Sequence, residues 1–224
     1  MNAKNSAANP CPICQSSTRE LIDSEIKVHG PVTYKVCETC ALIYKNTHHH
    51  IDPSKEKVHY DHHQNTMDNL GYVKMFERFI AEAIDPFIKN GKGLEFGSGP
   101  GPVLYELLKH KGFAMDYYDP YYHPNQTVFN ETYDVITSTE VFEHLSDPVY
   151  ELTRLSACLK PKGILAIMTS FHPDNDETFL SWWYRRDPTH IAFYRVKTFE
   201  TLIADLPLEI IHTNDKNIIV FKKQ

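Results

Sequence analysis

The chain has 224 residues, 42% apolar and 23% charged, and a net charge of −6. That is enough for one substantial soluble domain with a small appendage, and the acidic balance argues against a general nucleic-acid-binding surface, which needs basic excess. The stretch from Met1 to Ser6 lacks the apolar core of a secretory signal and no run is long enough to cross a bilayer, so a cytoplasmic protein without a membrane partner is expected.

Residues 1–9 read as a loose tail. Four of the five cysteines then form two pairs, Cys11-Pro12-Ile13-Cys14 and Cys37-Glu38-Thr39-Cys40. In a reducing compartment such pairs favour metal over disulfides. Tyr34–Val36 and Leu42–Tyr44 flank the second pair with strand-like composition. Two such knuckles on two hairpins can supply four thiolates to one tetrahedral, structural Zn²⁺. So small a segment cannot bury a sufficient core, and the metal would staple it. Residues 1–45 therefore resemble a zinc ribbon. Where a ribbon usually has Gly after each second Cys, this chain has Gln15 and Ala41; the alternative is a ribbon without metal, or free thiols. Cys158 falls in a helical pattern and reads as a small buried apolar residue.

Residues 46–69 are rich in His, Asp and Asn, including His48-His49-His50 and His59-Tyr60-Asp61-His62-His63. They read as a linker that caps the ligand site, with a second metal site as the alternative. From Leu70 to Asn90 the apolar residues fall at helical spacing, and Asn90-Gly91 is a stop. Leu94-Glu95-Phe96-Gly97-Ser98-Gly99-Pro100-Gly101 reads as a strand ending in a carboxylate and a tight glycine turn, followed by a helix to about Lys111. Strands are expected at Phe113–Tyr118, Tyr133–Ser138 and Ile164–Thr169, with a helix from Pro148 to Leu159 and a turn at Lys160–Gly163. After the aromatic and charged residues 170–195 come a helix near Lys197–Ala204 and a closing hairpin, Glu209–His212 with Asn217–Phe221. Strand and helix alternate, so residues 70–224 should form an α/β domain with a mainly parallel sheet. Its ligand belongs at the carboxyl ends of the strands.

A dinucleotide turn reads G-x-G-x-x-G and seats a pyrophosphate. Here the spacing is G-x-G-x-G, and Glu95, two residues before the first Gly, would repel a pyrophosphate. A carboxylate there suits a cofactor with a cationic end. Asp119 ends the second strand roughly 20 residues on, where a carboxylate accepts ribose hydroxyls; Asp116 is the rival acid. Together they describe a nucleoside joined to an amino acid, as in S-adenosylmethionine. On Leu94–Gly101, Asp119, Tyr133-Asp134-Val135-Ile136 with Glu143-His144, and Leu159–Gly163, the chain resembles a class I S-adenosylmethionine-dependent methyltransferase over about residues 60–224. The resemblance implies a Rossmann-like sheet with helices on both faces and a reversed last strand. It implies cofactor contacts from Glu95, Gly97, Ser98, Gly99, Gly101 and Asp119, with Thr139 and Glu140 near the methionine end. The family's usual third strand finds too little chain in residues 121–132, which leaves Asn125, Gln126 and Asn130 as candidates for the adenine.

Methyl transfer requires positioning and, for many oxygen or carbon nucleophiles, a general base. His144 and His190 are the candidates, each with a packing or capping role as the alternative. Trp182, Trp183, Tyr184, Arg185 and Arg186 could hold a planar or anionic acceptor, with Tyr60, His62 and His63 closing the other side. The expected function is methylation of a small or medium-sized metabolite on O, N or C. The alternatives are an RNA or protein methyltransferase that docks through the ribbon, a non-enzymatic module with a vestigial cofactor site, and an NAD-dependent oxidoreductase.

Overall fold

The computed structural model describes residues 10–24, 31–61 and 65–224; the tail expected over residues 1–9, and His62 and His63, lie outside them. The amino-terminal part is built on strands β1 (Arg19–Asp23), β2 (Val32–Val36) and β3 (Ile43–Lys45). They pair antiparallel in that order. Helix α1 (Pro53–Tyr60) lies in the His-rich stretch, its first turn capped by the Asp52 carboxylate, which accepts from Ser54 N–H at 2.9 Å. It has no buried residue, which is why apolar periodicity does not reveal it.

Helix α2 (Leu70–Ala83) starts at an Asn69 cap and turns Phe76, Phe79, Ile80 and Ala83 inward. It ends well short of Asn90. Asp85 precedes Pro86, and the proline ring disfavours helical backbone in the residue before it. The central unit follows: β4 (Lys92–Phe96), α3 (Val103–His110), β5 (Ala114–Tyr118), β6 (Tyr133–Thr139), α4 (Pro148–Cys158) and β7 (Leu159–Met168). Pro148 occupies the first turn of α4 behind an Asp147 cap. The turn expected at Lys160–Gly163 is instead the start of β7, where the register slips against β6 and Lys162 takes a φ of 68°. Then come α5 (Asp176–Ser181), β8 (Ala192–Phe193), α6 (Val196–Leu202), β9 (Leu208–Thr213) and β10 (Ile218–Lys223).

The main sheet has the order β5-β4-β6-β7-β10-β9, parallel as far as β7 and closed by the antiparallel β10 and β9. Its strands alternate between two apolar faces. Val135, Ile164, Ala166 and Val220 pack under α2 and α3, whereas Ile136, Leu165, Ile167 and Phe221 pack under α4 and α6. Both faces are covered, which is why these strands read as continuous apolar runs. β5 is the sheet's edge. Residues 121–132 return through a single short turn at Gln126–Asn130, so the expected third strand has no counterpart there.

The small sheet is completed from far along the chain. β8 pairs with β3, matching Ile43 with Phe193 and Tyr44 with Ala192. Cys11, Cys37, Cys40 and Leu42 belong to the same buried cluster as Phe199 and Phe221 of the main body. The ribbon-like segment is thus packed into the α/β body and not tethered beside it.

Candidate active site and metal centres

At the carboxyl end of β4, Glu95 is only 2% exposed. Its Oε2 accepts from the backbone N–H of Tyr105 in the first turn of α3, at 2.9 Å. Burial pushes this carboxyl up to about 8, the Tyr105 N–H opposes the rise, and the Asp119 charge adds to it. Among the described residues no cationic side chain pairs with it. The glycines beside it are sterically required. Gly97 has a φ of 83°, and a Cβ there would lie 2.2 Å from Val141 Cγ2. A Cβ on Gly101 would lie 1.8 Å from the Asn65 carbonyl oxygen. Ser98 is buried between them.

Asp119 is tied into this turn. Its Oδ2 accepts from Gly99 N–H at 2.9 Å, and its Oδ1 from the N–H groups of Tyr121 and Tyr122 at 2.8 and 3.0 Å. The rival Asp116 instead accepts from the Tyr133 hydroxyl and pairs with Lys92. Asn125 turns its side chain back onto Thr127, and Gln126 donates to the Tyr118 hydroxyl. Helix α1 leans on the same corner. The Tyr121 hydroxyl donates to Glu56 at 2.5 Å and that of Tyr122 to Asp61 at 2.6 Å.

A second group lies past the end of β6, where Thr139 is buried. Glu140 follows it with a φ of 54°, a left-handed conformation uncommon for a residue with a side chain. The Tyr184 hydroxyl stands 2.5 Å from Glu143 Oε1 and 2.9 Å from Glu140 Oε2, and Thr169 Oγ1 donates to Glu143 Oε2 at 2.8 Å. Burial raises both carboxyls; the Glu143 charge raises Glu140 further, to about 8, whereas hydrogen bonds from Tyr184 and Thr169 hold Glu143 back. His144 and His190 meet edge to face beside them, ring centres 4.8 Å apart and planes at 73°, and the Tyr60 ring closes on His144 at 5.4 Å. Burial lowers both imidazoles. His190 falls to about 3, pushed further by His144 and held back by Asp187. Both rings are therefore neutral at pH 7, with free lone pairs but little appetite for a proton. Glu143, His144 and His190 bring ligand atoms within 4.8 Å of one another. Glu140 and Glu143 stand one helical turn's spacing apart, just before His144, but a spacing alone does not announce a shared site.

Arg185, expected to meet an acceptor, turns instead to the ribbon sheet. Arg185 is 1% exposed, forms a buried ion pair with Asp23 of β1, and donates from Nε to the Phe179 carbonyl at 3.0 Å. It joins the ribbon sheet to the loop after α5. Tyr184 is likewise buried, whereas Trp183 is 69% exposed.

The four ribbon cysteines form the other ligand cluster. Their sulfurs lie within 4.8 Å of one another, Cys11 to Cys40 at 3.6 Å and Cys14 to Cys37 at 3.4 Å. Tetrahedral Zn–S bonds of ~2.3 Å place sulfurs ~3.8 Å apart, so the set fits zinc. Cys11 is held down at about 5, chiefly by the Cys40 thiol beside it. Backbone N–H groups turn back at both knuckles: Gln15 donates to Cys11 O, and Cys37 to Leu42 O. Gln15 and Ala41, standing where Gly is usual, take φ values of 59° and 60°.

A family model described as "Methyltransferase domain" matches residues 48–213, beyond the cysteine pairs. A ubiquinone biosynthesis O-methyltransferase of Histophilus somni is 29% identical over 94 residues, covering 40% of this chain and 37% of that protein. One of Parvibaculum lavamentivorans is 34% identical over 88 residues, covering 36% and 35%. The chain thus spans little more than a third of the length of these curated relatives. In fold it is similar to the mitomycin 7-O-methyltransferase MmcR, with a TM-score of 0.50 at 16% identity over 79% of this chain and 59% of that one.

Proposed function

The chain belongs to the methyltransferase-domain family, and we propose that it transfers a methyl group from S-adenosylmethionine to an oxygen of a small molecule. The observation that carries this is Glu95, a buried carboxylate with no cation beside it among the described residues, at the mouth of a glycine turn. Such a group is costly unless a cation arrives. The cofactor's ammonium is a cation of the right kind, and a pyrophosphate would be repelled.

When bound, S-adenosylmethionine supplies a methyl group on a sulfonium sulfur. The chain's own residues bind and orient. Glu95 takes the ammonium. Gly97, Ser98, Gly99 and Gly101 let the backbone come close. Asp119 holds the turn through Gly99 N–H. A carboxylate offers about four acceptor positions and three are already used, so as it stands Asp119 has room for one ribose hydroxyl, not two. Thr139 and Glu140 line the methionine end. Helix α1 is latched to this corner by Tyr121 and Tyr122. The oxygen assignment and the small-molecule acceptor rest on the O-methyltransferases to which the chain is similar.

Calorimetry with S-adenosylhomocysteine against NADH tests the reading. Binding of S-adenosylhomocysteine alone is expected, with at least a tenfold loss in Asp119→Ala. Binding of NADH alone would overturn it.

A further inference from the structure

One side of helix α2 walls a cavity of about 440 Å³, closed opposite by Met168 at the end of β7 and Ile218 at the start of β10. Its inner lining is apolar: Phe79, Met168 and Ile218 are buried, and Met75 joins them. Its rim is cationic. Lys74 and Arg78 stand four residues apart on α2, both exposed and both lining the cavity. Residues at that spacing share a helix face, and like charges there repel. Glu82, four residues beyond Arg78, faces His212 Nε2 at 3.5 Å instead of the arginine. No carboxylate among the described residues pairs with Lys74 or Arg78. In a chain of net charge −6, two unopposed cations over an apolar cavity point to an anion. The cavity also adjoins the cofactor turn. The Met168 carbonyl accepts from Glu140 N–H at 2.8 Å, and Met168 stands opposite Thr139 in the β6–β7 register. Tyr72, next to Gly71 on α2, has its hydroxyl pushed up by burial and further by the charges of Glu95 and Glu140.

We propose that this cavity holds the non-reacting part of the methyl acceptor, and that the acceptor is a small molecule with an aromatic skeleton and a carboxylate. The Arg78 guanidinium matches a carboxylate with its planar fork, and Lys74 adds a point charge beside it. Met75 and Met168 offer polarisable sulfur, and Phe79 a ring, to an aromatic skeleton. The volume is that of a pocket for a small organic molecule. Charge also sets direction. Glu95 and Glu140 repel an anion while Lys74 and Arg78 attract it, so the charged end rests on α2 and the reacting end turns toward the methyl donor. Arg78 thus fills, from a helix, the part expected of Arg185 in a loop. The acceptor's role rests on the methyl-transfer reading above; the binding of an aromatic carboxylate does not.

The test uses the full chain and compounds of one shape and different charge: 2-naphthoate, 2-naphthalenemethanol and 2-naphthylmethylamine. Calorimetry should give one naphthoate site per chain, with the alcohol roughly tenfold weaker, the scale of one charge-assisted hydrogen bond, and the amine weaker still. Carbon-13 labels on the methionine methyl groups locate the site. Met75 and Met168 should shift on titration, whereas Met115, which lines a separate cavity at β5, should not. Arg78→Gln and Lys74→Gln change exposed side chains and should each weaken naphthoate roughly tenfold. Both should leave the affinities for the alcohol and for S-adenosylhomocysteine unchanged. Naphthoate should still bind at saturating S-adenosylhomocysteine. Naphthoate no tighter than the alcohol, unmoved Met75 and Met168 resonances, unchanged affinity in both variants, or full competition with S-adenosylhomocysteine would each overturn the proposal. Naphthoate binding at Met75 and Met168 in a chain that does not bind S-adenosylhomocysteine would leave the cavity's ligand class standing and sink the methyl-transfer reading.

Discussion

The four cysteine sulfurs and the Glu143–His144–His190 group both gather ligand atoms within 4.8 Å, but from opposite chemistry. Four thiolates saturate a tetrahedral zinc and leave nothing for a substrate. Glu143, His144 and His190 offer three ligand atoms, two from imidazoles and one from a carboxylate, which would not fill a coordination sphere. The two clusters are nevertheless linked. β3 pairs with β8 directly after His190, the Lys45 ammonium donates to the carbonyls of Asp187 and Pro188, and Asp23 pairs with Arg185. The ribbon holds the loop that carries His190.

That link makes the comparison directional. Cys37→Ser should release zinc, because three thiolates and a hydroxyl bind far more weakly. Structural zinc contributes up to ~10–16 kcal/mol in isolated fingers, so a loss of several kcal/mol is expected even inside a larger core. The thermal midpoint should fall by about 8–16 °C (about 4 kcal/mol at ~2–4 °C each). The loop that carries His190 should loosen with it, read as faster amide hydrogen exchange over residues 184–193. The reverse does not hold, since His190→Gln should leave zinc at one per chain. Zinc loss that leaves hydrogen exchange over residues 184–193 untouched would show that the ribbon does not position His190.

Glu95 belongs on the open side of the comparison, and its two roles can be separated by pH. Its carboxyl titrates at about 8 in the folded chain and near 4.3 unfolded. Between those values the folded state binds the extra proton, so stability falls as pH rises through this window and levels off above about 8. Glu95→Gln removes that dependence. The variant should match the parent near pH 4 and exceed it by a few kcal/mol at pH 8.5 in denaturant melts without cofactor. Its affinity for S-adenosylhomocysteine should drop tenfold or more, as expected for losing a charge-assisted hydrogen bond. Lower stability together with unchanged affinity would make Glu95 a structural acid.

Legibility followed the same division. Glu95, the glycines and Asp119 stand in or next to strong strand patterns, and the structure brings them to one corner. The cysteine spacing announced the ribbon. What could not be read was long-range and short. β8 is two residues long and carries no periodicity, yet it completes the ribbon sheet. Arg185 looked like a ligand for an anion because nothing local betrays a partner at Asp23. Helix α1 buries no apolar side chain and is held by Tyr121 and Tyr122, so hydrophobic patterning passes over it. Sequence patterns report burial against the nearest face; they do not report a polar bond made across the fold.

The smallest expected effect concerns the two knuckles. Ala41 and Gln15 occupy left-handed backbone with φ near 60°, a conformation that costs a residue with a Cβ roughly 1 kcal/mol and costs glycine almost nothing. Glycine also gains freedom in the unfolded chain, which offsets part of the relief. The net change for Ala41→Gly should therefore be a stabilisation of no more than about 0.6 kcal/mol. Gln15→Gly should act similarly. Both should leave zinc stoichiometry unchanged, since neither residue supplies a ligand. The Ala41 carbonyl accepts from His172 Nε2 at 2.7 Å, a bond that a backbone oxygen keeps whatever the side chain. Destabilisation by Ala41→Gly would mean that the left-handed turn is not the strained element, and that the Ala41 methyl group contributes packing the φ value does not show.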